Sequence, residues 1–218
     1  MTMNPAPKRT KKEIVTEFRT REILNAARRL MKSHGAEAVT MEEIAAAAGV
    51  AKGTVYLYFQ GKDQLVQALI SQVGENMLAD IEAIVQGPGS PPEKIRQVAS
   101  LILDYLMRER ALFPAYALEL LRGGRGTPRN YWRHLQDMED RFVNLVTSLF
   151  AEGIRAGYFT PANPRLLTFL LRGMVRAVGY YQMVEGQERA VKEALPVLLT
   201  LLSSGLTRQP QASSEVAV

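Results

Sequence analysis

Helical periodicity is the feature that most constrains what this chain can fold into. Apolar residues recur at a spacing near 3.6 along most of its length, whereas the period-two alternation of a half-buried strand is absent from the sequence. Glycine and proline fall between the periodic segments, where these residues begin or end helices. The sequence therefore predicts an all-α protein whose helices are joined by short breaks.

The predicted helices form two groups on either side of a linker at residues 87–92, which reads Gly-Pro-Gly-Ser-Pro-Pro. Each helix boundary is placed where the periodic pattern meets glycine, proline or a capping residue. Before the linker we expect helices at about 20–33, 41–48, 52–59 and 62–85. After it we expect helices at about 93–109, 111–122, 128–156, 163–185 and 188–207.

The net charge of +5 is concentrated at the N-terminus. Residues 1–12 hold four bases and no acid, residues 13–70 hold seven of each, and residues 71–218 hold 16 bases and 15 acids. A short basic arm is suited to contact phosphates, although a solvated tail would show the same charge run. The four bases of the arm are Lys8, Arg9, Lys11 and Lys12.

Residue types that support catalysis are scarce in this sequence. The chain has no cysteine, so it has no disulfide, thiol nucleophile or thiolate metal site. Its two histidines are His34, at a predicted helix end, and His134, which makes only a weak metal pair with Asp137. Gly-rich phosphate loops and nucleophile elbows are also absent from the sequence. We therefore expect no enzymatic activity, catalytic residue, cofactor or metal.

The sequence also bears on location. The N-terminal residues are basic and polar and lack the apolar core of a secretory signal. The longest uncharged stretch, from Ala194 to Thr207, has 14 residues and is too short to cross a bilayer. We expect a cytoplasmic protein without a membrane partner.

Residues 40–59 hold the strongest functional signal. Thr40 and Glu43 have the spacing of a capping box, and Gly49 can adopt the left-handed conformation that ends a short helix. A second short helix follows after a turn of the length found in helix-turn-helix units, whose second helix enters the DNA major groove. The predicted inner face is Ile44, Val50, Val55 and Phe59, and the predicted outer face is Lys52, Gly53, Thr54, Tyr56 and Tyr58.

The stretch from Ile23 to Leu65 resembles the DNA-binding domain of the TetR family of bacterial transcriptional regulators. The shared elements are Thr-x-x-x-Ile-Ala, Gly-Val-x-Lys-Gly-Thr, Tyr-x-Tyr-Phe and Lys-x-x-Leu, which begin at Thr40, Gly49, Tyr56 and Lys62. Ala51 departs from the pattern, because many relatives carry a serine that can cap the helix or bind phosphate. The resemblance implies four regions: a basic flexible arm over 1–19, a helix-turn-helix domain over 20–65, a helical effector-binding and dimerisation domain over 66–207, and a disordered tail over 208–218.

The resemblance also assigns roles at the DNA interface. Lys52, Gly53 and Thr54 would meet base edges or nearby phosphates at the start of the recognition helix. Tyr56 and Tyr58 would contact phosphates or bases through their hydroxyls. Thr40 and Lys62 would each meet a phosphate at a helix N-terminus, where the dipole and free amides favour an anion. The partner is then double-stranded operator DNA.

The predicted helix at 163–185 is apolar on almost every side, which is typical of a helix buried on both faces. A homodimer contact on one face and the core on the other would explain this pattern, with Gly173 and Gly179 admitting the partner helix. The 188–207 helix would complete a four-helix interface. Such a dimer would recognise a near-palindromic site.

Aromatic, methionine and leucine residues of the second domain predict a cavity for a small, mostly apolar effector, although the same residues suit a plain core. Arg172 and Arg176 lie one turn apart on an apolar helix, where unpaired charge is costly. They either pair with acids such as Asp104 or Glu119 or meet an anionic ligand head. The candidate effector residues are Leu103, Leu106, Phe113, Tyr116, Trp132, Met138, Phe142, Phe169, Arg172, Met174 and Arg176.

The resemblance implies that such a protein is a dimeric, ligand-responsive repressor that leaves its operator when the effector binds. Two alternatives remain open at this stage. A transcriptional activator would have the same fold, and a helical adaptor would bind only protein partners. The basic arm and the Lys52-Gly53-Thr54 segment argue against the adaptor.

Overall fold

The computed structural model describes residues 10–185, 193–194 and 196–201, and every regular element within them is a helix. This confirms the all-α prediction, and the boundaries of α2 to α8 lie within two residues of those predicted. None of the described helices is both long and apolar enough to cross a membrane. The helices are α1 (Lys11–His34), α2 (Met41–Ala47), α3 (Lys52–Tyr58), α4 (Lys62–Gln86), α5 (Pro91–Arg108), α6 (Phe113–Arg122), α7 (Arg129–Arg155) and α8 (Pro164–Glu185).

The start of α1 was predicted wrongly, because the helix begins at Lys11 and not near Thr20. Thr10 and Glu13 form a capping box, in which the Thr10 hydroxyl accepts from the Glu13 amide at 3.3 Å and the Glu13 carboxylate accepts from the Thr10 amide at 2.8 Å. The Thr-x-x-Glu spacing was the missed signal. Residues 11–19 are therefore helical and not part of a flexible arm, while residues 1–9 lie outside the described residues.

The C-terminal predictions fall mostly outside the described residues. Of the helix predicted at 188–207, residues 193–194 and 196–201 are described and are helical. Leu198 is buried there, whereas Val197 and Leu201 are exposed. The tail predicted over 208–218 lies outside the described residues.

The chain divides into two compact units, Met1–Gln72 and Val73–Val218, and the division falls within α4. In the first unit, α1 packs against α2 and α2 packs against α3. The side chains of Ile23, Ile44, Val55 and Leu65 are fully buried in its core. The predicted inner face is correct for Ile44, Val55 and Phe59, whereas Val50 is only half-buried.

In the second unit, α7 packs against α5 and α8, and α5 also packs against α8. The buried face of α7 includes Leu135, Met138, Phe142 and Leu149. These positions recur at intervals of three, four and seven residues, so they share one side of the helix. The core of this unit therefore lies along α7.

The helix α8 has one apolar face in the core and a second apolar face that is open in the single chain. Leu167, Leu171 and Val175 are buried, whereas Leu166 and Leu170 are exposed in the single chain. One apolar face of α8 therefore packs in the core, as predicted, and its second apolar face meets solvent in the single chain. The homodimer contact expected on that second face stays a prediction.

The two glycines of α8 have different environments. A Cβ on Gly173 would meet nothing within 4 Å, so Gly173 lies on the open face. A Cβ on Gly179 would overlap the ring of Phe113 in the same chain. Gly179 therefore allows close packing within the chain, and the prediction that it admits a partner helix is wrong.

We expect Gly179→Ala to lower the free energy of unfolding by about 1–3 kcal/mol, because the added methyl overpacks against Phe113. Urea denaturation measures this change. Gly53→Ala on α3 is the control, since its methyl enters open space and alanine exceeds glycine in helix propensity by about 1 kcal/mol. An equal loss in both variants would contradict the packing.

Candidate nucleic-acid interface and effector site

The helix α3 has one exposed face and one buried face. Val55 is fully buried, and Thr54 and Tyr58 are half-buried at its edges. Positions three or four residues apart share one face of a helix, as Lys52 and Tyr56 do, and Gly53 does with both Tyr56 and Leu57, so the exposed residues form one continuous surface. We call this surface the outer face of α3, and it consists of Lys52, Gly53, Tyr56 and Leu57.

Leu57 also lies on this face, although the sequence pattern did not predict it there. Its side chain is 83% exposed, the highest value among the exposed large hydrophobic residues of the first unit. A leucine on a helix is usually assigned to the core, so its type gave no hint of this position. The rotation of α3 about Val55 turns Leu57 toward solvent.

Lys52 is paired with a carboxylate that the sequence did not reveal. Its ammonium group forms an ion pair with Glu42 of α2, and the two side chains are 56% and 55% exposed. The hydrogen bond between them raises the pKa of Lys52 and lowers the pKa of Glu42. The Lys52 Nζ atom also lies 5.9 Å from the centroid of the Tyr56 ring. Lys52 is therefore cationic, and a phosphate would compete with Glu42 for it.

The capping box predicted for α2 is confirmed. The Thr40 hydroxyl accepts from the Glu43 amide at 3.2 Å and donates to Glu43 Oε2 at 2.9 Å. The Thr40 amide donates to the same oxygen at 2.8 Å and lowers the pKa of Glu43. Gly49 then ends the short helix segment with φ = 67°, in the left-handed region that the sequence predicted.

The start of α3 lacks a side-chain cap, because Ala51 has no hydroxyl to accept from the helix amides. The next residue but one, Gly53, has open space around it, since an added Cβ would meet nothing within 4 Å. Packing within the chain therefore does not require glycine at this position, although glycine lowers helix propensity by about 1 kcal/mol. The close approach of another molecule to the backbone would explain why this residue is a glycine.

Lys62 begins α4 and is half-buried. Its Nζ atom donates a hydrogen bond to the backbone carbonyl of Glu37 at 2.6 Å. An ammonium group has three N–H donors, so this bond leaves donors for a second acceptor.

The candidate effector residues differ widely in exposure. Phe169 lies on the exposed face of α8, 45% exposed, with the guanidinium groups of Arg165 and Arg172 at 5.7 and 5.5 Å from its ring centroid. Phe169 is therefore not part of the core of the single chain, and its contact with an effector stays a prediction. The buried members are Leu103, Phe113, Met138 and Phe142, and the half-buried members are Leu106, Tyr116, Trp132, Arg172, Met174 and Arg176.

Arg172 and Arg176 share one carboxylate, that of Glu139 on α7. Arg172 Nη2 lies 2.7 Å from Glu139 Oε2, and Arg176 Nη2 lies 3.2 Å from Glu139 Oε1. Acid pairing was thus one of the two predicted outcomes, but the suggested partners Asp104 and Glu119 were wrong. Glu119 instead accepts a hydrogen bond from the Thr127 hydroxyl at 2.5 Å.

Tyr116 of α6 joins the same cluster. Its hydroxyl donates to Glu139 Oε1 and accepts from Arg176 Nη2 at 3.2 Å. Burial raises the pKa of Tyr116 to about 12, so its hydroxyl is a protonated donor at neutral pH. Glu139 was detectable from the sequence, because it lies four residues after Leu135 and three before Phe142 on the apolar side of α7. A carboxylate in that position needs a charged partner.

Two family models match the chain. The model described as "Bacterial regulatory proteins, tetR family" matches residues 23–69, and the model described as "Tetracyclin repressor-like, C-terminal domain" matches residues 88–180. The first contains α2, α3 and the start of α4, and the second contains α5 to α7 and most of α8.

Individual relatives agree with these matches. The "Fatty acid metabolism regulator protein" of Bacillus subtilis is 25% identical over 85% of this chain and 94% of its own length. The crystal structure of the transcriptional regulator FadR from Bacillus subtilis in complex with stearoyl-CoA has a TM-score of 0.67 at 23% identity, over 85% of this chain and 98% of that one. The structure of the ketosteroid transcriptional regulator KstR2 of Mycobacterium tuberculosis has a TM-score of 0.65 at 20% identity, over 88% of this chain and 96% of that one.

The helix-turn-helix geometry, the two family models and the helical second unit agree with one another. The sequence elements that carried the resemblance lie on α2, α3 and the start of α4, which belong to one compact unit. The chain belongs to the TetR family and is a DNA-binding transcriptional regulator.

Proposed function

We propose that this regulator is a homodimeric repressor that binds a near-palindromic operator through α3 and leaves it when an acyl-type effector binds the second unit. The observation that carries the DNA-binding part is the outer face of α3, with an exposed cation, an open glycine and two further exposed side chains on one surface. This repressor would act in the cytoplasm, without enzymatic activity.

The proposed base contacts come from the outer face of α3. Lys52 would bind a guanine edge or a phosphate, and the backbone at Gly53 would approach the DNA closely. Leu57 would contact a thymine methyl group, because an exposed apolar side chain suits that part of the major groove. Thr54, Tyr58, Thr40 and Lys62 would contact phosphates from the edges.

The proposed dimer uses the exposed face of α8. Leu166, Phe169 and Leu170 are about half exposed there, and Gly173 leaves room for a second helix. A row of exposed apolar side chains on one helix is typical of an interaction surface. A two-fold axis would pair this face with itself and place the two recognition helices about 34 Å apart or a multiple of that distance.

The acyl-type effector is proposed from two supports. The similar FadR structure holds stearoyl-CoA, which has a long apolar chain. The similar KstR2 is named as a ketosteroid regulator, and a ketosteroid is a large, mostly apolar molecule. The second unit of this chain buries a largely aliphatic and aromatic set of side chains around α7. Release requires only that the effector bind the DNA-free conformation more tightly than the DNA-bound one.

The full chain is expected to retard a DNA fragment from upstream of its own gene more strongly than a scrambled fragment of equal length, and stearoyl-CoA is expected to reverse this. Coenzyme A alone is the control ligand. Equal affinity for both fragments would contradict sequence-specific DNA binding and favour the adaptor. Specific binding that stearoyl-CoA leaves unchanged would contradict only the acyl effector. In a transcription assay of the same fragment, a rise in transcription when the protein binds would identify an activator.

Lys52→Ala is expected to weaken operator binding and to reduce the slope of log K against log salt by about 0.9, the contribution of one phosphate contact. Glu42→Gln is expected to strengthen operator binding and to increase this slope, because it frees Lys52 from its partner. Arg155→Ala removes an exposed charge from the second unit and serves as the control. Fluorescence anisotropy over a salt series measures all three, and equal slopes for Lys52→Ala and wild type would refute the phosphate contact.

Gly53→Ala separates stability from DNA binding. Since the added methyl has open space, we expect the free energy of unfolding to rise by up to about 1 kcal/mol. Operator affinity is expected to fall about tenfold, the size of one lost base contact. Urea denaturation and anisotropy measure the two quantities, and unchanged affinity would show that the DNA does not approach this backbone.

Leu170→Glu is expected to convert the dimer to a monomer at micromolar concentration, because it places a charge in the centre of the proposed interface. Leu121→Glu is the control, since Leu121 is an exposed leucine on α6, also in the second unit. Sedimentation equilibrium measures the mass of each variant. A dimer that persists in Leu170→Glu would exclude this face as the interface.

A further inference from the structure

We propose that Arg172 and Arg176 form a binding site for the oxyanion of the effector, a carboxylate or a phosphate attached to an apolar chain. This inference rests on the proposed effector function and names the chemistry that one part of the site recognises. It starts from the unequal number of charges in the cluster around Glu139.

The cluster holds two cations and one anion. Both guanidinium groups contact the single carboxylate of Glu139, and the three side chains are only 19%, 29% and 21% exposed for Arg172, Arg176 and Glu139. One positive charge is therefore in excess in a place with limited access to water. A charge in such a place is costly unless a second partner reaches it.

Within the described part of the chain, the other charged groups that act on Arg172 do not remove this excess. Burial lowers the pKa of Arg172, Glu139 opposes this effect, and Arg176 lowers the pKa further. Asp140 also acts on Arg172, but its effect is smaller than that of Arg176. Asp140 is exposed, so solvent screens it. An oxyanion beside the two guanidinium groups would balance the charge.

The groups around the cluster suit the head of an amphipathic molecule. The ring of Phe113 lies 6.5 Å from that of Tyr116 and 5.7 Å from that of Tyr180, so aromatic surface adjoins the charged groups. The hydroxyl of Tyr131 is buried and has no hydrogen-bond partner among the described residues, and its nearby groups include Glu119 and Tyr116. It is an unused donor, and burial keeps it protonated by raising its pKa.

Guanidinium groups recognise both candidate oxyanions. Arginine presents its N–H donors in a planar fork that matches carboxylate and phosphate oxygens, and such charge-assisted bonds are stronger than neutral ones. A neutral head of the same length would gain neither the charge balance nor these bonds. The site should therefore separate anionic from neutral amphiphiles.

The charge excess also makes the proposal testable without loss of the fold. Removing either arginine leaves Glu139 paired with the other one, so a buried unpaired carboxylate is avoided. Arg165→Gln is a matched control, because Arg165 also lies on α8 and over the Phe169 ring and carries the same charge. Thermal unfolding of each variant checks that the fold is retained.

The experiment measures the binding of dodecanoate, dodecyl phosphate and 1-dodecanol to the full chain by isothermal titration calorimetry. Wild type is expected to bind at least one of the anions about tenfold more tightly than the alcohol, and the tighter anion identifies the head group. Arg172→Gln is expected to lose about tenfold for that anion with no change for the alcohol. Glu139→Gln is expected to bind the anion more tightly, because both arginines lose their competitor.

Three results would overturn the site. They are equal affinity of wild type for the anions and the alcohol, equal losses in Arg172→Gln and Arg165→Gln, and no binding of any of the three probes. None of these depends on operator binding or on its release by stearoyl-CoA. Failure of the oxyanion site and failure of the proposed function are therefore distinguishable.

Discussion

A chain built from helices must bury one stripe of each helix against its neighbours, and this requirement orients the functional side chains described above. In the first unit, Ile44 and Val55 are fully buried between α1, α2 and α3. Because Val55 points inward, Leu57, two positions further along the same helix, lies on nearly the opposite side and must point outward. The recognition surface is thus a consequence of core packing in a helix of only seven residues.

The same requirement explains the charged cluster in the second unit. Leu135 and Phe142 turn one side of α7 toward the core, and Glu139 lies on that side between them. A carboxylate placed there is stabilised only if a cation reaches it from another helix. Arg172 and Arg176 of α8 do so, and Tyr116 of α6 adds a hydrogen bond. One residue therefore links α6, α7 and α8.

Local signals in the sequence were sufficient for most helix boundaries. The capping box at Thr40 and the left-handed turn at Gly49 depend on residues within a few positions of each other, and both are present in the structure. The error at α1 had a local cause as well, since the Thr10–Glu13 box was overlooked. Contacts between residues far apart in the sequence could not be predicted from such local signals. The Lys52–Glu42 pair depends on how α2 crosses α3, and the clash of a side chain at Gly179 with Phe113 joins residues 66 positions apart.

The sequence by itself determined the helical class, the order and limits of the helices from α2 onward, and the helix-turn-helix unit that carries the family resemblance. These properties follow from periodicity, capping and turn residues, which act over a few positions. Only the tertiary structure decided which face of α8 is exposed, that Leu57 lies on the outer face of α3, and that Glu139 is the partner of Arg172 and Arg176. The physical reason is that a helical period specifies which residues share a face, while the packing of neighbouring helices decides what that face meets.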